Sequence, residues 1–108
     1  GERGWCVILE VDEHQHQGRA EFCECARMLN VSQDLGCLTL WIRYNPDKYK
    51  PAKGAPLSIK RRMESLALYL REALSQQLPK GVDTNGYGAV LRLFFDGFNS
   101  EPSWQPLV

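Results

Sequence analysis

Net charge is the first thing this chain lacks. Thirteen Lys and Arg residues balance thirteen Asp and Glu residues over 108 positions. No long-range field therefore draws it to nucleic acid, and any phosphate contact must come from a local basic patch. Long apolar runs are missing too: none approaches the roughly 20 residues needed to span a bilayer, so no membrane partner is expected. The first residues carry no secretory-leader pattern. Cysteine is scarce, with four residues, and its placement argues against disulfides. Cys6 sits in an apolar strand and Cys37 opens another, while Cys23 and Cys25 are two apart on a predicted helix, where neighbours do not share a face. Reduced, mostly buried thiols and an intracellular compartment, cytoplasm or nucleus, are the expectation. There is no internal repeat. What the chain does have is apolar content: 44% hydrophobic against 24% charged residues describes one globular domain with its own core.

Periodicity divides the chain into alternating elements. Residues 5–12 form a strand and residues 20–34 a helix, with Phe22, Ala26 and Leu29 on one face and Gly36 as its stop. Residues 37–43, Cys-Leu-Thr-Leu-Trp-Ile-Arg, make a second strand. A loop punctuated by Pro46, Pro51, Gly54 and Pro56 leads to a helix over 57–78. There Ile59, Met63, Leu66, Leu70 and Leu74 form an apolar stripe predicted to be core. Residues 89–95 give a third strand, and the segment from Asn99 reads as a tail held by Trp104. Strands separated by helices predict an α/β layer arrangement with helical cover, one domain over 1–98 and a tail over 99–108.

Chemistry concentrates in residues 7–16, Val-Ile-Leu-Glu-Val-Asp-Glu-His-Gln-His. Alternate strand residues share a face, so Glu10 and Asp12 project together, roughly 7 Å apart. His16 and His14 follow within one turn. Two acids and an imidazole at the C-terminal end of a strand are where open α/β sheets place their sites, and they can ligate a divalent cation. The bland alternative is a solvated strand end.

Glu10-Val11-Asp12-x-x-x-His16 resembles the Glu-x-Asp-x-x-x-His motif of the PD-(D/E)XK nuclease superfamily, in the branch similar to very-short-patch-repair endonucleases. The likeness continues through Cys23-Glu24-x-x-Arg27-Met28, Gly36, Ile42-Arg43-Tyr44-Asn45-Pro46-Asp47 and Leu93-Phe94-Phe95-Asp96-Gly97. That ordered set looks like nuclease-like domains of large DNA viruses and algae, and it covers roughly residues 5 to 98. The resemblance implies a restriction-endonuclease-like fold, a small mixed sheet with three strands in this chain flanked by two helices. It also implies an intracellular Mg²⁺- or Mn²⁺-dependent endonuclease that hydrolyses DNA. Glu10 and Asp12 would be the metal ligands, and His16 a base or an orienter of water. The superfamily normally adds an aspartate on the strand before Glu10, and only Gly1 to Gly4 precede that strand here. The expectation is therefore a C-terminal piece of a longer domain, or an incomplete site. An absent neighbouring strand predicts an open sheet edge that pairs with a second copy or with the N-terminal portion.

Arg27 lies three residues after Glu24 and reads two ways: a helix-surface ion pair, or a guanidinium that reaches the scissile phosphate. Arg43 is a second candidate for that task. Asn45-Pro46-Asp47 is turn chemistry first. With Lys48, Lys50 and Lys53 and the interleaved Tyr44 and Tyr49, the loop can also contact a nucleic-acid backbone. Lys60, Arg61 and Arg62 open the second helix, where basic residues are mildly unfavourable and hint at phosphate. Two other functions stay open: a degenerate domain that binds nucleic acid or protein without catalysis, and a module stabilised by zinc on Cys23, Cys25, His14 and His16.

Overall fold

The computed structural model describes residues 4–12, 21–84 and 86–107, and for 21–23 the backbone alone. Six elements follow in order: β1 (Trp5–Val11), α1 (Glu21–Leu35), β2 (Leu38–Tyr44), α2 (Ile59–Ala73), β3 (Gly88–Leu93) and β4 (Gln105–Pro106). They form an α/β domain around a four-stranded mixed sheet in the order β1-β2-β3-β4. The first three strands are parallel, with Glu10 opposite Arg43 and Arg43 opposite Arg92. β4 is antiparallel to β3 and comes from the segment expected to be a tail. Trp104 and Leu107 are buried, and Leu107 N–H bonds to Gly88 O at 3.2 Å. A two-residue strand leaves no periodicity to read, and Pro106 is tolerated because the edge needs no donor from it.

Strand alternation feeds two separate cores. Trp5, Leu40, Ile42, Leu91 and Leu93 pack with Leu66 and Ala73 of α2 on one face. Trp41, Val90 and Leu107 pack with Met28 of α1 on the other. Since both connections step in the same direction across the sheet, helices on opposite faces require crossovers of opposite hand. One of them is thus of the disfavoured left-handed kind.

Local chemistry sets the element ends. Gly36 adopts φ 69° and stops α1, its N–H reaching Ser32 O and Gln33 O. α2 begins two residues later than predicted because Ser58 caps it, its side chain accepting from Arg61 N–H. α2 also ends early, at Ala73, where Leu74 closes it. β3 stops at Leu93 because Phe94 turns to φ 66°, and that buried ring packs against Tyr49 and Phe98.

One expectation needs correction. Of the stripe predicted to be core, Leu66 is buried, whereas Ile59 is 62% and Met63 50% exposed. The row that meets the sheet is Arg62, Leu66 and Ala73. Apolar spacing marked a flank of α2, because an arginine occupies the position facing inward.

Gly88 sits where chains approach closest. A Cβ there would overlap the Thr39 carbonyl oxygen and press Leu107 Cδ1 at 3.1 Å. A backbone oxygen inside a parallel sheet cannot yield cheaply, so Gly88→Ala is expected to lose about 1–3 kcal/mol, read as a lower urea midpoint with an unchanged slope.

Candidate carboxylate–guanidinium site

Even-numbered residues of β1 and odd-numbered residues of β2 face α1. That parity puts Glu10, Arg43 and Arg92 in one row near the C-terminal ends of the parallel strands. Asp12 lies one step beyond β1, held by its N–H to Tyr44 O at 2.7 Å. α1 crosses above and supplies Glu24 and Arg27, one helical turn apart.

These side chains lock together. Arg27 Nη2 donates to Glu10 Oε1 at 2.8 Å and to Glu24 Oε2 at 3.0 Å. Arg43 Nε donates to Asp12 Oδ2 at 2.6 Å, and its Nη2 stands 3.5 Å from Glu24 Oε2. Glu24 thus bridges two guanidiniums, each of which also holds one β1 acid. Arg43 is buried and the other four are partly so. Such pairs are less screened than surface ones. Hydrogen bonding to Glu10 is the main cause that raises the Arg27 pKa above its ordinary value, against the opposing pull of burial. Arg27 therefore keeps its charge at any working pH. Its guanidinium also lies over the Trp41 ring at 5.6 Å, which fixes its direction.

Glu10, Asp12, Arg27 and Arg43 are thus brought together, by parity within β1 and by the packing of α1. Of the two readings of Arg27, the ion pair with Glu24 is present, and the same guanidinium also reaches Glu10. His14 and His16 lie outside the described residues, as does the side chain of Cys23. Cys25 packs in the apolar cluster around Trp41 and Met28. Among the described residues no group of three or more His, Cys, Asp and Glu could hold a metal ion.

The loop residues separate. Asn45 is fully buried: Nδ2 donates to Phe94 O at 2.8 Å, and Oδ1 accepts from Asp47 N–H at 3.1 Å. It pins β2 to the turn after β3 and is out of reach of a backbone phosphate. Lys48, Lys50 and Lys53 are exposed. Lys48 and Lys50 line a cavity of about 560 Å³ beside Arg62, on the α2 face.

Sequence reasoning gave Glu24 too small a part and did not single out Arg92. The signal for Arg92 was present, as a lone charge in the apolar run 89–95. The part played by Glu24 depends on the α1 crossing, which no spacing announces.

The network predicts a coupling. Arg43→Ala leaves Asp12 without its guanidinium while Glu24 keeps Arg27, so it should cost about 1–3 kcal/mol, below the full penalty of breaking a wholly buried pair. Asp12→Ala combined with Arg43→Ala should cost less than the sum by at least about 0.5 kcal/mol, measured by a double-mutant cycle in urea. Additive losses would show that the two side chains do not interact.

Compared with protein-family models, curated proteins and solved structures, the chain matches none of them.

Proposed function

We propose that this domain is a metal-dependent nuclease of the PD-(D/E)XK kind that hydrolyses DNA phosphodiesters. The observation that carries the reading is the position of Glu10 and Asp12. Glu10 lies at the C-terminal end of β1 and Asp12 one step beyond it, each within hydrogen-bonding reach of a guanidinium on the α1 face. Two carboxylates fit Mg²⁺ or Mn²⁺ in kind. Mg²⁺ commonly takes one or two carboxylates, filling its other positions with water and substrate phosphate. Glu10 and Asp12 would hold the ion, and the resemblance adds His16 as a base or an orienter of water. When bound, the ion polarises the phosphodiester and acidifies water.

The chain's own cations do the rest. Arg27 and Arg43 sit where the non-bridging oxygens of a phosphate would arrive, and planar guanidinium suits bidentate contact. Their pairing with carboxylates keeps both forks aimed at the strand end. Arg43 belongs to this phosphate-binding set through its place beside Asp12. Exposed Lys48, Lys50 and Lys53 supply backbone contacts further along the strand.

The same ion pairs favour a second reading. With each β1 acid already neutralised by an arginine, the site can serve as a non-catalytic nucleic-acid-binding surface. Plasmid nicking with Mg²⁺ or Mn²⁺ separates the two. The nuclease reading expects cleavage that needs the metal and falls at least about 100-fold in Glu10→Gln or Asp12→Asn, a loss of about 2.7 kcal/mol of barrier lowering. DNA binding without cleavage would establish the second reading.

Among the described residues no helix is long and apolar enough to cross a membrane. The edge position of β1 supports pairing with a second copy. Because Asp12 N–H turns inward to Tyr44 O, alternation turns the backbone groups of Val7, Leu9 and Val11 outward. Leu9 and Val11 are 42% and 57% exposed, and no lysine or proline blunts the strand. Light scattering should give twice the 12.3 kDa chain mass, and Leu9→Lys should return it to one. A monomer at millimolar concentration would refute the pairing.

A further inference from the structure

The second cationic centre lies on the opposite face of the sheet, and among the described residues no carboxylate pairs with its buried guanidinium. Arg62 is 4% exposed, yet among the described residues it forms no ion pair. Nη2 donates to the Asn45 carbonyl oxygen, while Nε is buried without any acceptor. Three rings surround the guanidinium, those of Tyr44, Tyr49 and Phe94, with centroids 5.6, 5.1 and 5.0 Å away. Ring faces offset part of the cost of burying a cation. They do not satisfy its N–H donors.

The cavity of about 560 Å³ opens beside this group. Its charged lining is Lys48, Lys50 and Arg62 against Asp96, leaving two net positive charges. Asp96 Oδ1 is engaged by Lys50 N–H at 2.8 Å. The rest of the lining is largely apolar, made by Tyr49, Pro56 and Leu57, and Tyr49 Oη accepts from Leu57 N–H at 2.9 Å. The first turn of α2, which contains Arg62, carries no acidic residue, so the positive end of the helix dipole adds to the field.

We infer that this cavity is a phosphate-binding site, built to take a phosphate group carried on an apolar or ring-bearing body such as a nucleotide. The dianion supplies what Arg62 lacks, a charged acceptor for a desolvated guanidinium, with Lys48 and Lys50 closing over it from the loop. The apolar wall accommodates the sugar or base. The site is independent of Glu10 and Asp12, which lie on the α1 face, so it stands whether or not the carboxylates support hydrolysis.

Amide chemical shifts followed by NMR test this on the whole chain. The probes are inorganic phosphate, a 5′-phosphorylated tetranucleotide and the same tetranucleotide without its terminal phosphate. Expected are saturable shifts centred on Lys48, Tyr49, Lys50, Leu57 and Asp96, weakened at least tenfold in Lys48→Ala/Lys50→Ala and retained in Glu10→Gln. Both lysines are exposed, so the double variant keeps the fold, and Arg62→Lys should retain weaker binding. Preference for the phosphorylated oligonucleotide identifies a nucleic-acid end as the source. Equal binding of both oligonucleotides identifies internal phosphates, and binding of inorganic phosphate alone identifies the free ion. Shifts at these residues that do not saturate below about 100 mM, that are absent, or that survive in the lysine double variant would mean an adventitious ion only and overturn the proposal.

Discussion

The structure depends on one constraint: β2 is covered on both faces and on both edges. It lies between β1 and β3, and all but one of its seven residues are buried. Leu40, Ile42 and Tyr44 must therefore supply the α2 core, while Trp41 supplies the α1 core. A strand in that position tolerates a polar residue only where a partner waits. Trp41 Nε1–H finds Ser32 Oγ at 3.2 Å, and Arg43 finds Asp12 and Glu24. A one-residue slip in register would exchange the two cores and bury the charges unpaired.

From that alternation comes a division of charge between the faces. On the α1 side, two guanidiniums are held by three carboxylates in a partly dry setting. On the α2 side, one guanidinium stands among aromatic rings with no carboxylate in reach among the described residues. Both lie towards the C-terminal ends of the parallel strands, where chains leaving an open sheet diverge and leave room for ligands. The faces therefore differ in charge although they share one strand: one pairs its guanidiniums with carboxylates, and the other sets a guanidinium among aromatic rings.

Much of this was legible from residue order. The alternation of Glu10 with Val11 and Asp12 assigned both acids to one side, and the structure keeps them there. The strand–helix–strand rhythm announced an α/β sheet, which the structure shows with one strand more than expected. Less legible was α2. Its apolar stripe follows helical spacing, yet Ile59 and Met63 face largely outward while Arg62 points in. Hydropathy ranks an arginine last among core candidates, because the scale cannot know that a carbonyl and three rings will be waiting. Asn45 misled in the opposite sense: a polar residue in a basic loop looked available, and it is the fully buried tie between β2 and the turn after β3.

By itself, the sequence determined the two helices and first three strands, the parity of the acids at the end of β1, and the stop at Gly36, because these obey local rules of backbone sterics and capping. Tertiary structure alone decided which helix covers which face, that Glu24 joins Arg27 to Arg43, that residues 105–106 add a strand to the sheet, and that Arg62 is buried with no ion-pair partner among the described residues. Those outcomes arise from contacts between residues far apart in the chain. Their energies depend on distance and desolvation, quantities that spacing along a sequence does not contain.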